Sequence, residues 1–118
     1  MYSEEVLDHF QNPRNAGTLD AATATVSVEN PVCGDLLELS VRMEAGRVAE
    51  ARFRTRGCVT ALACSSFLTE LLRGKTSAEA RGITSEHISD ALGGLPPATL
   101  HGAQLARDAV QALVAKLA

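Results

Sequence analysis

Four residues of this chain have the types and spacing to hold a metal or handle sulfur together: Cys33, Asp35, Cys58 and His101. Cys33 stands in NPVCGDLLELS, between a proline-led turn and a Gly-Asp pair. A cysteine that only packs would be expected inside the apolar run that follows, among Leu37, Leu39 and Val41; this one precedes it. Two thiolates, one carboxylate and one imidazole are four possible ligands. Cys and His suit zinc and iron-sulfur centres, and a tetrahedral site needs four donors about 2.0 to 2.3 Å from the metal. Cys58 follows Gly57 and opens the apolar segment VTALACSSFLTELLR. A helix N-terminus there would favour its thiolate, for ligation or for nucleophilic sulfur transfer.

Alternating patterns predict the elements that must bring these residues together. Ala24, Val26 and Val28 alternate with polar neighbours, as do Leu37, Leu39, Val41 and Met43, and then Ala49, Ala51 and Phe53. Each is a strand with one wet face, the pattern of an antiparallel sheet covered on one side. Opposed residues must share a face. Pairing Leu37 with Phe53, Leu39 with Ala51 and Val41 with Ala49 meets that condition and leaves a three-residue loop, Glu44-Ala45-Gly46, with glycine where a left-handed residue is wanted. The same register sets Asp35 opposite Thr55 and Cys33 opposite Gly57, so Cys33, Asp35 and Cys58 gather at the open end of the hairpin.

Helices account for the rest. Ser3 caps a first helix over 4–10, stopped by NPRNAG. A second runs from Val59 to Arg73, with its first turns apolar all round, and Gly74 ends it. Short helices follow over 77–81 and 85–92, GGLPP breaks the chain, and a last helix from near Gly102 to Leu117 carries Leu105, Ala109, Val110, Leu113 and Val114 on one stripe. His101 falls in the turn before it. Strands first and helices after give the α+β class, a three-stranded antiparallel sheet with helices packed on one face.

At 118 residues the chain reads as a single domain, 1–118, with enough length for a real core. A net charge of −3, three Phe, one Tyr and no Trp supply neither the basic face nor the stacking platforms of a nucleic-acid binder. Acids in MYSEEVLDHF replace the apolar core of a signal peptide, and no stretch approaches the roughly 20 apolar residues of a membrane span. The expectation is a cytoplasmic protein with no nucleic-acid and no membrane partner. Three cysteines are an odd count for a disulfide framework, which leaves metal ligation, sulfur chemistry or packing.

The chain resembles the U-type iron-sulfur cluster scaffold family, the IscU, SufU and NifU N-terminal domain proteins. The resemblance is carried by YSEEVLDHFQNPRNAG, NPVCGD, RFRTRGCVTALACSS, TELLRGK and LPPATLHGAQLARDAV, in order and nearly end to end. It implies the NifU/IscU-like sheet and helices, and metal or cluster ligands at Cys33, Asp35, Cys58 and His101. It also implies a cysteine desulfurase as sulfur donor and apo iron-sulfur proteins as acceptors. Two positions depart from the pattern. The family places a third active cysteine directly after the histidine, where this chain has Gly102; many members have a Lys at the position of Thr99, which weakens the inference of an Hsp70-type chaperone partner.

Other readings stand beside these. Cys33 alone is a turn residue, Asp35 a partner for Arg56, and His101 a capping or solvated histidine. His9 reads as a packed helix residue and His87 as solvated. Arg52, Arg54 and Arg56 form a basic edge that is either solvated or open to an acidic partner. Cys64 lies six helical residues from Cys58, about 120° around and about 9 Å along, and reads as a small buried hydrophobe rather than a replacement ligand or relay.

Three functions follow. The first is a scaffold or carrier, not an enzyme, that receives iron and sulfur, holds a transient [2Fe-2S] cluster and passes it on. The second is a zinc-bound (Zn2+) sulfur acceptor, in which Cys33 or Cys58 takes persulfide from the desulfurase. The third is a degenerate paralogue kept as an interaction module. A homodimer sharing one cluster would supply the thiolates that Gly102 withholds.

Overall fold

The computed structural model describes residues 2–31 and 34–117. Cys33, with its predicted place opposite Gly57, lies outside them. Helix α1 (Glu4–Gln11) is followed by strands β1 (Ala24–Glu29), β2 (Leu36–Glu44) and β3 (Arg47–Arg56). Helices α2 (Val59–Leu72), α3 (Ser77–Arg81) and α4 (Ser85–Ala91), a 3-10 turn over Pro97–Thr99 and α5 (Leu100–Leu117) complete the chain. The sheet is antiparallel in the order β1-β2-β3. The α+β expectation holds.

Alternation decides which face is covered. Leu37, Leu39, Val41, Ala51 and Phe53 turn inward and are fully or almost fully buried, together with Ala61, Leu68 and Leu72 of α2 and Leu105, Ala109 and Leu113 of α5. On the open face Arg52 pairs with Glu50 at 3.0 Å, and Arg54 stands 4.0 Å from Glu38. Two of the three arginines of the predicted basic edge therefore have acidic partners on the sheet itself.

The hairpin register differs from expectation by two residues. Leu37 pairs with Thr55, Leu39 with Phe53 and Val41 with Ala51. Beyond Arg42 opposite Glu50 the register shifts, and Met43 faces Val48. The extra residue sits in β3 at Ala49 as a bulge, so Val48 is buried in its place. With the irregularity moved into the strand, the loop shortens to Ala45-Gly46. Both residues have positive φ, 53° and 77°, as a primed two-residue turn requires. Parity survives a shift of two, and for that reason the inward set is nearly the predicted one.

Ser3 Oγ accepts from the Val6 N–H and donates to the Leu92 carbonyl, so the cap of α1 also ties it to the end of α4. His9, on the buried side of α1, packs edge-on to Phe67, and its Nδ1 lies 2.8 Å from Ser66 Oγ. Its Nε2 lies 3.4 Å from Glu70 Oε1. A neutral ring protonated on Nε2 suits both contacts, since Ser66 Oγ already accepts from the Arg14 N–H. His87 is exposed, as expected.

Burial, helped by the nearby Arg14 charge and opposed by Glu70 and Asp8, holds the His9 pKa below its ordinary 6.5. A folded pKa below the unfolded one means the unfolded chain binds more protons in that window, so stability rises with pH through it. The contribution is whole above 6.5 and lost as pH falls below it. Melting temperature is expected to fall between about pH 7 and about pH 5.5. His9→Gln should flatten that fall; an unchanged slope would place the acid sensitivity elsewhere.

Candidate metal centre

Each donor reaches the open end of the hairpin for a local reason. Asp35 precedes β2, where its carbonyl accepts from the Asn30 N–H at 2.8 Å and closes the preceding loop. Leu36 pairs with Arg56, so Asp35 comes level with Gly57 rather than with Thr55, the partner expected from the sequence. Cys58 is the N-cap of α2: its backbone is extended and its Sγ accepts from the Ala61 N–H at 3.4 Å. Thr55 Oγ1 donates to Ser65 Oγ, which donates to the Ala61 carbonyl, and this chain of hydrogen bonds fixes the end of β3 against the first turns of α2. His101 lies in the first turn of α5, not in the preceding turn, because the helix starts at Leu100.

The three donor atoms form a nearly equilateral triangle. Cys58 Sγ is 3.6 Å from Asp35 Oδ2 and 3.6 Å from His101 Nε2, and His101 Nε2 is 3.6 Å from Asp35 Oδ2. Donors at the corners of a tetrahedron with metal bonds of about 2.0 to 2.3 Å stand about 3.3 to 3.8 Å apart. All three edges fall inside that range. Asp35 is buried and Cys58 exposed, so the triangle has a protein-facing corner and an open one. One soft sulfur, one imidazole and one carboxylate suit zinc or ferrous iron. Among the described residues, the Asp35 carboxylate meets these two donors rather than the Arg56 that the sequence also offered it.

The profile of the family described as "NifU-like N terminal domain" matches residues 1–118. The chain belongs to this family. Identity is 46% over 111 residues with the iron-sulfur cluster assembly scaffold protein IscU 1 of Archaeoglobus fulgidus, covering 94% of this chain and 72% of that protein. It is 42% over 118 residues with the scaffold protein IscU of Escherichia coli, covering 97% and 91%. These names describe scaffolds rather than enzymes. Among solved structures, a NifU-like protein (N-terminal) from Brucella abortus superposes with a TM-score of 0.77 over 97% of this chain and 92% of that one, a likeness of fold at 20% identity.

In this NifU-like chain, Cys64 has no part in the triangle. It is fully buried, and desolvation, with a smaller effect from Cys58, pushes its thiol up to about 12. A buried thiol that resists ionisation agrees with the reading of Cys64 as a small packed hydrophobe.

Gly102 is buried where α5 crosses the start of α2. A Cβ built there would lie 3.1 Å from Thr60 Cγ2 and 3.2 Å from both Ala61 N and Thr60 C. The glycine lets the helices approach closely next to His101, so restoring a cysteine must push them apart by a few tenths of an ångström. Gly102→Cys is expected to cost about 1–3 kcal/mol by overpacking, read as a lower urea midpoint with an unchanged slope. A midpoint equal to the parent's would show that the contact yields freely.

Gly57 is the position that sequence reasoning passed over. Its signal was a glycine placed directly before a candidate ligand with no turn to account for it.

Proposed function

We propose that this chain is an iron-sulfur cluster assembly scaffold that receives iron and sulfur, holds a labile [2Fe-2S] cluster as cargo through Cys33, Asp35, Cys58 and His101, and hands it to apo acceptor proteins. The observation that supports this most strongly is the triangle of Asp35, Cys58 and His101 donor atoms, 3.6 Å on each edge, in a chain of this family. Cys33 enters as the fourth ligand on the sequence argument. A cysteine desulfurase supplies the sulfur, and Cys33 or Cys58 is the thiolate that first takes it. A weak, mixed donor set favours release over retention.

The compact triangle also supports a second reading. A two-iron cluster divides its terminal ligands between two metals and needs two ligand pairs set further apart than donors that share one ion. Three mutually close donors suit a single ion, so zinc bound here while a cysteine accepts persulfide is the alternative. In the scaffold reading the same arrangement is the site before the second iron arrives. A decayed interaction module would have no use for three donors kept in register.

Two chains sharing a cluster would make up for the thiolate that Gly102 does not supply. The Hsp70-type partner remains a proposal weakened at Thr99, whose hydroxyl is engaged locally with the Pro96 carbonyl. Free thiols at Cys58 and Cys64 fit a reducing compartment, and the cytoplasm is the one we propose. Among the described residues no helix is long and apolar enough to cross a membrane.

The test is metal (iron and zinc) and acid-labile sulfide analysis of the protein purified without oxygen, before and after anaerobic incubation with a desulfurase, cysteine and ferrous iron. Equal iron and sulfide, at about two of each per chain or per dimer, supports the scaffold. Zinc without sulfide supports the acceptor, and no metal at all leaves the interaction module.

A further inference from the structure

We infer that Gly57 is a positioning residue of the metal site, its missing side chain being the seat of the Asp35 carboxylate. This rests on the metal reading above and concerns how the site is built.

The backbone alone accounts for five of the nine glycines. Gly17, Gly34, Gly46, Gly74 and Gly94 have positive φ, and a Cβ on any of them would meet nothing within 4 Å; the backbone explains them. Gly57 is the reverse case. Its φ lies outside the left-handed region, so any residue could adopt its backbone, yet a Cβ built on it would stand 2.6 Å from Asp35 Cγ, 2.6 Å from Oδ1 and 3.0 Å from Cβ. Real Cβ atoms essentially never come that close. The carboxyl group fills the space over the Gly57 Cα.

That seat also sets the direction of the donor. With Oδ1 resting over Gly57, the other oxygen, Oδ2, faces Cys58 Sγ and His101 Nε2 at 3.6 Å each. Asp35 cannot retreat as a whole, because its carbonyl is bonded to Asn30 and the next residue is in the β2–β3 ladder opposite Arg56. A methyl group at position 57 overlaps the carboxyl group where it now lies, so the carboxyl must leave its seat, and Oδ2 its place in the triangle with it. Gly57 is itself exposed, so the substitution buries nothing and opens no cavity.

The experiment is a double-mutant cycle on metal affinity. Zinc dissociation constants are measured by chelator competition for the parent, Gly57→Ala, Asp35→Gly and the double variant. Asp35→Gly is chosen because it removes all three atoms that the new methyl group would meet. Gly57→Ala is expected to weaken zinc binding by about tenfold or more, as loss of ligand positioning does. In the Asp35→Gly background the same change should have no further effect. Cobalt(II) loaded into Gly57→Ala should give the visible spectrum of Asp35→Gly, not of the parent, while the far-ultraviolet dichroism of all four proteins stays the same. Parent-like affinity and spectrum in Gly57→Ala would overturn the inference and leave the metal site standing. An equal loss in both backgrounds would also overturn it, because Gly57 would then act through something other than Asp35. A parent protein that binds neither zinc nor cobalt would instead remove the metal reading, and this inference with it.

Discussion

Cys58→Ala is expected to lower zinc affinity by about 100-fold. Zinc held by four protein ligands binds with about 10–16 kcal/mol near neutral pH, so one ligand is worth roughly 3 kcal/mol, or about two decades in Kd. The sulfur has a second role, because it caps α2 by accepting from the Ala61 N–H. Loss of an N-cap costs about 1 kcal/mol of stability whether or not metal is present. Cys58→Ser separates the two effects. Its hydroxyl keeps the cap and gives up the soft donor, so its metal-free melting temperature should match the parent's while zinc affinity still falls. Alanine should lower both. Parent-like zinc binding in either variant would exclude Cys58 as a ligand.

Leu39→Ala is expected to destabilise the fold by about 2–5 kcal/mol, lowering the melting temperature by about 8–20 °C. Leu39 is fully buried at the centre of β2, with Val26 on one side and Phe53 on the other, so no neighbouring chain end can move in to fill the space. Asp35 lies four residues along the chain from it, and metal binding should restore part of what is lost. Zinc at 100 times its Kd adds about 2.7 kcal/mol to a folded state that alone can bind it. Zinc should therefore raise the melting temperature of Leu39→Ala and have little effect on Leu39→Ala combined with Cys58→Ala. An equal rise in both would mean that zinc stabilises through some other site.

The strands were legible because each had one covered face, and β1 was found as the alternation places it. The hairpin's parity was legible for the same reason. Its register was not: a bulge at Ala49 costs no change in the pattern of apolar residues that flank it, and the sequence offered Gly46 as an equally good reason for a longer loop. After the GGLPP break the sequence puts the start of α5 near Gly102, yet Leu100 and His101 are already helical. Asp35 and Cys58 were legible as candidate ligands from their chemistry and the hairpin, and His101 mainly from the resemblance carried by LPPATLH, whereas the 3.6 Å spacing depends on three element ends meeting. Gly57 was hidden because its role is an absence. Only the coordinates show which atoms occupy the room a side chain would take.

X-ray absorption of the zinc-loaded protein reads whether Asp35, Cys58 and His101 close on one metal ion. A mixed shell is expected, with sulfur at about 2.3 Å and nitrogen or oxygen at about 2.0–2.2 Å. The imidazole scattering should disappear in His101→Ala, and the sulfur contribution should shrink in Cys58→Ala. A shell of nitrogen and oxygen alone, or a spectrum that neither substitution changes, would contradict it.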